Sequence, residues 1–144
     1  MTGVAVVAAR KADGQPCGLT ANAFTSLSLD PPLVLVCVER SADSHDCIRD
    51  AGAFSVNVLA AGDRTLAHRF ASSGGTSKFE GLVLGTALTG APILSDAMAW
   101  VDCRLEHLHD GGDHSIFVGL VLEGATSGGN PLVFYRGDYE GLHR

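Results

Sequence analysis

Residues 33–38 form an unbroken apolar run, Leu-Val-Leu-Val-Cys-Val, directly after Asp30-Pro31-Pro32. Valine favours strands, and the two prolines force an extended or turning path before the run. A six-residue apolar run bounded by turn signals is typical of a strand that is buried on both faces. We therefore predict a strand over 33–38 that is covered on each side.

Further apolar or alternating runs predict more strands. They lie at residues 4–9, 54–59, 99–108, 115–122 and 131–135. Tight turns are predicted at 13–16 (Asp-Gly-Gln-Pro) and at 110–113 (Asp-Gly-Gly-Asp). With 18 glycines and only 18% charged residues, the composition favours a turn-rich β fold over a helical bundle. Successive strands joined by short turns predict an antiparallel barrel or sandwich.

Two short helices are predicted between these strands. Residues 41–44 (Ser-Ala-Asp-Ser) offer N-cap groups ahead of a helix over 45–50, and Gly52 ends it. Residues 63–71 carry apolar side chains at helical spacing. The Gly/Ser-rich segment 72–77 follows and is predicted as a loop that could fold over a ligand.

Length and charge restrict the class of protein. The 144 residues suit one domain over 1–144, and no repeat or linker divides them. The formal net charge is -6 and no run of Lys or Arg occurs, which argues against nucleic-acid partners and anionic membranes. Residues 1–9 are apolar but too short for a membrane span and lack the basic leading region of a signal peptide. We expect a cytoplasmic protein.

The cysteines and histidines give little support for a metal site. The four cysteines form no Cys-x-x-Cys pair, and Cys37 and Cys103 lie in apolar runs typical of reduced core thiols. His107, His109 and His114 surround the turn at 110–113, where a metal could bind, but that turn selects Asp and Gly for their backbone geometry. We favour one functional histidine, His114, and no metal.

The segment 20–28 is rich in hydroxyl and amide side chains separated by small residues. Such donors, with accessible backbone amides, suit a phosphate and the polar edge of a ring. In an extended strand the side chains of residues 22, 24, 26 and 28 would share one face. A Ser/Thr-rich edge strand that faces water is the alternative, and the composition of the segment leaves both open.

Two further patterns bear on function. Residues 133–139 (Val-Phe-Tyr-Arg-Gly-Asp-Tyr) combine aromatic rings with a cation, which suits stacking on a ring beside a phosphate, although packing of a terminal strand explains them equally well. The chain lacks Gly-x-Gly-x-x-Gly after a strand and lacks a P-loop, which excludes the usual dinucleotide and nucleotide folds. A Ser-His-Asp hydrolase is a weak alternative, since no Gly-x-Ser-x-Gly elbow occurs.

Taken together, several segments resemble the short-chain flavin reductase family. In chain order they are GLTANAFTSLSLDPPLVLVCV, FSVNVLA, HRFA, SKFEG, GAPIL, GDHSIFVGLV and FYRGDY. The resemblance implies a mainly β, FMN-binding split barrel, antiparallel and Greek-key-like, with a few short helices and a homodimeric assembly. It also implies reduction of FMN or FAD by NADH or NADPH, commonly to supply an oxygenase in a two-component monooxygenase. Family members usually carry a helix before the strand matched here by residues 3–7, and this chain starts at that strand.

The resemblance also implies site residues. The flavin ring edge and ribityl phosphate would be lined by Asn22, Ala23, Phe24, Thr25, Ser26 and Ser28, to which the donor-rich segment 20–28 adds Thr20. The phosphate end would be completed by Glu39, Arg40, Ser41 and Ser44. The flavin would be bordered by Phe70, Ala71, Lys78 and Phe79. The nicotinamide nucleotide would contact His114, Tyr135, Arg136 and Tyr139.

Hydride transfer between two stacked rings needs positioning more than acid–base help, so we assign no nucleophile and no general base. Because the product must leave for another protein, we expect the flavin to be held loosely. Two alternatives stay open. One is another flavin-dependent oxidoreductase with tightly held FMN, and the other is a non-catalytic flavin- or haem-binding module on the same barrel.

Overall fold

The computed structural model describes residues 1–142, and within them it contains twelve strands, two α-helices and one 3₁₀ helix. The strands are β1 (Thr2–Gly3), β2 (Ala5–Arg10), β3 (Pro16–Ala21), β4 (Phe24–Leu29), β5 (Pro32–Glu39), β6 (Ala53–Val58), β7 (Leu84–Gly85), β8 (Ile93–Leu94), β9 (Ala99–Gly111), β10 (His114–Thr126), β11 (Leu132–Tyr135) and β12 (Asp138–Gly141). The helices are α1 (Ser44–Ala51), α2 (Arg64–Ala71) and the 3₁₀ helix Gly75–Phe79.

Seven strands form the main sheet in the order β3-β2-β6-β9-β10-β5-β4, and every neighbouring pair is antiparallel. Its two edge strands, β3 and β4, are consecutive in the chain and are joined by only Asn22 and Ala23. The sheet therefore curls until its edges meet at this corner, where the Cys37 amide donates to the Ala23 carbonyl (2.9 Å). A barrel left open between β3 and β4 confirms the predicted mainly β, antiparallel split barrel with few short helices.

Strand β2 and the residue before it separate two hydrophobic cores. Ala5, Val7 and Ala9 face the barrel interior, together with Ile48 of α1 and Phe54, Phe117 and Val36. The alternate residues Val4, Val6 and Ala8 face a second cluster built from Leu59, Ala67, Phe70, Phe79 and Leu132. Each fully buried large side chain stabilises the fold by about 1.5–3 kcal/mol. The period-2 alternation thus places α1 and α2 on opposite faces of the same strand.

Both predicted helices are confirmed. Gly52 lies in the left-handed region (φ 68°), and its amide donates to the carbonyls of Ile48 and Arg49, which ends α1 as the sequence indicated. Helix α2 begins after Asp63, whose side chain accepts a hydrogen bond from the Ala60 amide (2.9 Å) rather than from the first turn of the helix. The helix ends at Ala71, directly before the Gly/Ser-rich loop.

Three strand predictions need correction. Strands β9 and β10 run to residues 111 and 126, well beyond the predicted limits, because ladder pairing continues through residues whose side chains are exposed. The hairpin turn is accordingly only Gly112-Asp113. Strand β12 was missed because apolar residues are few in it; pairing with β11 holds it, across a turn in which Arg136 (φ 55°) and Gly137 (φ 82°) are both left-handed.

The prediction that residues 33–38 are buried on both faces is wrong in part. Val36 and Val38 are fully buried in the barrel core, whereas Leu33, Leu35 and Cys37, on the other face of β5, are only partly buried. This second face opens onto the two concave surfaces described below. The run is apolar on both faces of β5 because one face packs in the core and the other lines surface concavities.

Two of the four cysteines are joined in a disulfide and the other two are free. A disulfide joins Cys17 of β3 to Cys47 of α1, a pairing that the sequence analysis did not predict. Cys37 and Cys103 are free, as predicted, and burial raises the pKa of the Cys103 thiol to about 12, so this thiol is an inert part of the core. Among residues 1–142, no helix is both long and apolar enough to cross a membrane.

Candidate functional site

A polar cleft of about 400 Å³ opens where the barrel is split. Its walls are the β3–β4 corner (19–23), the end of β5 with the start of α1, the end of α2 with Ser72 and Ser73, and the side chains of Lys78 and His114. We call this concavity and the residues that line it the cleft. It lies at the corner where the two edge strands β3 and β4 do not pair with each other, so polar backbone groups on their outer sides are left for a ligand.

Ten of the predicted site residues line the cleft. They are Thr20, Asn22, Ala23, Glu39, Ser41, Ser44, Phe70, Ala71, Lys78 and His114. These residues come from five separate parts of the sequence, and the fold brings them to one concavity. The cleft also includes Leu19, Ala42 and Asp43, which the sequence analysis did not select because nothing in their residue types points to a ligand.

The remaining predicted residues lie elsewhere. Phe24, Thr25 and Ser26 line a second concavity, the apolar groove, of about 540 Å³. The groove is completed by Val34, Leu35, Val56, Val58, Ala99, Trp100, Val101, Gly124, Ala125 and Thr126. Arg40 lines a third concavity, and Phe79 packs edge-on against Phe70 (4.9 Å between ring centroids) beneath the cleft. Tyr135 and Arg136 lie at the β11–β12 turn, where the Arg136 guanidinium stacks over the Tyr135 ring.

The prediction that residues 22, 24, 26 and 28 share one face is wrong for two reasons. The chain bends at Asn22-Ala23 between β3 and β4, so Asn22 is not part of the same strand as Ser26. A β-bulge between Ser26 and Ser28 then shifts the register, since these residues pair with Val34 and Leu33, which are successive on β5. Ser26 and Ser28 therefore project to opposite faces of β4.

The floor of the cleft is organised around the carbonyl of Gly18. It accepts hydrogen bonds from the Ser44 hydroxyl (2.8 Å) and from the Lys78 ammonium (3.1 Å). The Lys78 ammonium also donates to the Phe70 carbonyl (3.4 Å). An ammonium group has three N–H donors, so one is left for a ligand in the cleft after these two bonds.

Lys78 is the buried cation of the site. Its residue is only 5% exposed, and burial lowers the pKa of its ammonium, an effect that the negative charge of Asp43 partly opposes. A buried ammonium without a full counter-charge binds an anion more strongly than one in water, because the surrounding dielectric is lower. Lys78 therefore marks the part of the cleft that suits a phosphate.

His114 stands at the opposite wall, as the first residue of β10. Its ring Nδ1 hydrogen-bonds the Asp113 carboxylate (2.7 Å), and this bond lowers the pKa of Asp113. An ionised carboxylate only accepts, so Nδ1 carries the proton and Nε2 is the acceptor of the neutral ring. The side chain is 42% exposed and so remains accessible to a ligand from solution.

Arg40 follows the cleft residue Glu39 but turns away from the cleft. Its guanidinium forms an ion pair with Asp110 and lies 3.5 Å from the His114 carbonyl, while its amide donates to the Asp113 carbonyl (2.9 Å). Arg40 and Lys78, both of which the resemblance placed beside the flavin, are therefore not brought together. Lys78 alone of these two faces the cleft.

The C-terminal hairpin forms a wall next to the cleft. Tyr139 lines a small cavity of about 100 Å³ with Phe134, and this cavity shares Thr20, Asn22 and Ala71 with the cleft. The Tyr139 ring packs edge-on against His68 (4.8 Å between centroids), and burial raises the pKa of the Tyr139 hydroxyl. The hairpin thus supplies an aromatic side chain to the rim of the cleft, while Tyr135 and Arg136 stand farther out.

The chain is similar to known proteins over nearly its whole length. Residues 1–143 match the family model described as "Flavin reductase like domain". A Rhizobium meliloti (strain 1021) protein named "Probable flavin reductase" is 41% identical over 138 residues, which are 96% of this chain but only 44% of that protein. The "Flavin-dependent monooxygenase, reductase subunit HsaB" of Rhodococcus jostii (strain RHA1) is 40% identical over 142 residues, which are 98% of this chain and 72% of that protein.

A solved structure has the same architecture. It is the NADH:FAD oxidoreductase SgcE6 of Streptomyces globisporus C-1027, in complex with NAD and FAD fragments. The TM-score is 0.91 at 35% sequence identity, and the match covers 99% of this chain and 86% of that one. At this level of similarity the two chains share the fold over essentially their whole common length.

Proposed function

This chain belongs to the family of flavin reductase-like domains, and from that membership we propose that its cleft binds FMN or FAD and aligns NADH or NADPH for hydride transfer to the flavin. The predicted family and the prediction of a flavin reductase are confirmed by the family match and the named relatives. The residue roles that follow are part of our proposal. They rest chiefly on one observation, the buried Lys78 at the floor of the cleft.

The cleft fits the phosphate end of a flavin. Lys78 has a spare N–H donor, and Ser41 and Asn22 add a hydroxyl and an amide group on the adjacent walls, whereas the Thr20 hydroxyl donates to the Ala67 carbonyl (2.6 Å). A phosphate carries up to two negative charges and several acceptor oxygens, which match a buried ammonium and short polar side chains. The net charge of -6 makes a localised cation necessary, because the protein as a whole repels an anion.

When bound, flavin supplies the hydride acceptor, and the reduced nicotinamide nucleotide supplies the donor. The residues of the chain position both rings. Backbone groups at the β3–β4 corner and Asn22 fix the polar ring edge, and the Ser44–Gly18–Lys78 hydrogen bonds keep the cleft floor rigid. His114 lines the cleft and orients the nucleotide through Nε2, the ring nitrogen that is not bonded to Asp113, and Tyr139 forms an aromatic wall. We assign no nucleophile and no general base to this reaction.

Anaerobic mixing tests the proposal. Protein is combined with excess FMN or FAD and with NADH or NADPH, and flavin absorbance is followed. We expect bleaching with at least one of the four pairs, and the fastest pair identifies the flavin and the nucleotide. No bleaching with any pair would contradict the proposed activity. Retention of bound yellow flavin through purification would favour the alternative of a tightly held cofactor over the loosely held substrate that we propose.

His114 has its own test. His114→Ala should raise KM for the nucleotide by about 2–10-fold while changing flavin affinity less, since one neutral hydrogen bond, from an N–H of the nucleotide to Nε2, contributes about 0.5–1.5 kcal/mol. His107→Ala is the matched control, because His107 is an exposed histidine on β9 outside the cleft. An unchanged nucleotide KM in His114→Ala would remove His114 from the proposed mechanism.

We also propose a homodimer in which a second copy covers the apolar groove. The groove is lined mostly by apolar side chains, including Trp100, and the exposed side chains Leu27 and Leu29 lie on the same edge strand β4. Exposed apolar concavities of this kind and an unpaired edge strand both favour association. The second copy also brings residues of the 24–26 segment into a buried environment.

The reduced flavin then serves another protein. One relative is named as the reductase subunit of a flavin-dependent monooxygenase. We propose that this chain likewise releases reduced flavin to a separate oxygenase component. Loose flavin binding is what such a role requires, because the product of the reductase is the substrate of its partner.

A further inference from the structure

A third concavity of about 360 Å³, which we call the side pocket, lies between α1 and the hairpin of β9 and β10. It is lined by Arg40, His45, Asp46, Arg49, Leu108, His109, Asp110 and Ser115. None of these residues lines the cleft. The side pocket is therefore a separate polar cavity that the proposed flavin chemistry does not use.

Three side chains in the side pocket form a hydrogen-bonded chain. The Ser115 hydroxyl lies 2.8 Å from His45 Nε2, and His45 Nδ1 lies 2.8 Å from a carboxylate oxygen of Asp46. Ser115 and His45 are both buried, at 5% and 6% exposure. The His45 ring also packs edge-on against Phe117 (5.3 Å between centroids), which fixes its orientation.

The direction of each hydrogen bond follows from the charge on Asp46. The hydrogen bond from His45 and the adjacent Arg49 guanidinium (3.2 Å) lower the pKa of Asp46, so its carboxylate is ionised and only accepts. In neutral His45, Nδ1 is then the donor to Asp46 and Nε2 is unprotonated. The Ser115 hydroxyl must donate its proton to Nε2. This order of serine, imidazole and carboxylate is that of an activated serine nucleophile.

We propose that Ser115 is a nucleophile that small, activated carboxylic esters acylate in the side pocket. Ser115 Oγ bonds to the ester carbonyl carbon as its hydroxyl proton moves to His45 Nε2. The bond to the leaving alcohol breaks, the alcohol takes that proton, and the acyl group stays on Ser115. Water then attacks the acyl carbon, its proton passes through His45 to Ser115 Oγ, and the carboxylic acid leaves.

The environment of the pocket predicts slow turnover. Arg40 and Arg49 are the cations nearest to a developing oxyanion, but they are already paired with Asp110 and Asp46. Stabilisation of the tetrahedral intermediate is accordingly modest, and loss of one oxyanion donor in other enzymes lowers kcat by about 10²–10³-fold. We expect acylation by an ester with a good leaving group, and slow hydrolysis of the acyl-protein.

The experiment uses the full chain without flavin. The protein is incubated with p-nitrophenyl acetate, p-nitrophenolate release is followed, and the adduct is located by intact mass and peptide mapping. A fluorophosphonate probe is applied in parallel, because it traps activated serines irreversibly. Variants are Ser115→Ala and His45→Gln, and the matched control is Ser127→Ala, which removes an exposed serine on the loop after β10.

We expect a burst of about one equivalent and an adduct on the peptide that contains Ser115, in the wild type and in Ser127→Ala. Ser115→Ala should lose the adduct, and His45→Gln should slow acylation by about 10²-fold or more, the usual contribution of a general base. An absent adduct in the wild-type protein, an adduct on another residue, or an unchanged rate in His45→Gln would overturn the proposal. Mapping on the wild-type chain decides the question even if a variant fails to fold.

Discussion

The cleft and the apolar groove lie on either side of the same corner of the chain, yet their chemistry is opposite. Residues 20–23 enter the cleft, where a buried ammonium and short polar side chains converge. Residues 24–26 enter the groove, where the neighbours are Trp100 and valines. A few placed donors can orient a charged ligand, whereas an apolar concavity offers contact area without direction. In the function that we propose, residues 20–23 bind the ligand and residues 24–26 take part in association, with the boundary between Ala23 and Phe24.

The largest expected effect is on association. Ala125→Glu places a carboxylate inside the groove, and an uncompensated buried charge costs about 3–5 kcal/mol, so we expect the dimer Kd to rise by roughly 150- to 4,000-fold. Sedimentation velocity over a concentration series measures this change. Val83→Glu is the control, because Val83 is an apolar residue that is 75% exposed outside the groove. Equal behaviour of the two variants would contradict a dimer across the groove.

On the side of the cleft, Lys78→Met should have the next largest effect. It removes the buried ammonium and keeps a side chain of similar length, so we expect flavin Kd to rise by about 10–100-fold, the equivalent of a charge-assisted hydrogen bond of about 1.5–3 kcal/mol. Flavin fluorescence titration measures it, with the exposed Lys11→Met as control. If both variants bind flavin like the wild type, the phosphate does not lie at the cleft floor.

Packing beneath the cleft gives a third test, since Gly18 at the cleft floor lies directly against the core. A Cβ at Gly18 would lie 2.9 Å from the Val7 carbonyl and 3.0 Å from the Phe79 ring. Gly18→Ala should lower the free energy of unfolding by about 1–3 kcal/mol and also weaken flavin binding, because the Gly18 carbonyl must shift. Gly62→Ala is the control, because its Cβ meets no atom within 4 Å; urea denaturation should show a change below about 0.5 kcal/mol.

The buried charge should also be visible in the pH dependence of stability. Burial lowers the pKa of Lys78 in the folded state below its ordinary value of 10.5, so the unfolded state binds more protons between these two values. Stability should therefore rise as pH increases through this window, and the cost of the buried cation is fully present below it. Tyr139, whose pKa is raised by burial, acts in the opposite direction above about pH 10. The difference between wild type and Lys78→Met isolates Lys78, and an identical pH slope would contradict the assignment.

Features of the fold that are set by local sequence pattern were predicted, whereas features that depend on long-range contacts were not. The two helices and an antiparallel barrel or sandwich followed from periodicity, Gly52 and the turn residues, all of which act locally, whereas the split barrel itself followed from the family resemblance. The sequence did not predict that residues 20–23 line the cleft while residues 24–26 line the groove. A bend at Asn22-Ala23 and a bulge in β4 change the direction of the side chains, and no distinctive residue type marks either feature. The Cys17–Cys47 disulfide joins two elements 30 residues apart, and spacing alone does not reveal such a pair.

The residues of the cleft could likewise be predicted only in part, because long-range contacts decide which side chains face it. Lys78 was selected by resemblance and His114 also by its place beside the hairpin turn, and both line the cleft, but only the fold shows that Arg40 turns to Asp110 instead. The Ser115–His45–Asp46 chain had no sequence signal beyond three common residue types, two of them adjacent. A triad whose nucleophile and base lie 70 positions apart is visible only after β10 is placed against α1.

The smallest predicted effect tests where the ligand-binding part of the chain ends between the cleft and the groove. Ser26 lines the groove beside the corner, whereas Ser28, beyond the bulge, lines neither concavity. If a bound flavin extends past Ala23 toward the groove, Ser26→Ala removes one hydrogen bond and raises flavin KM by about 2–10-fold, while Ser28→Ala leaves it unchanged. Steady-state kinetics on both single variants measure this difference. If both variants raise flavin KM equally, the direction of the side chains on β4 does not decide which residue contacts the flavin. If neither variant changes flavin KM, the ligand is confined to the cleft.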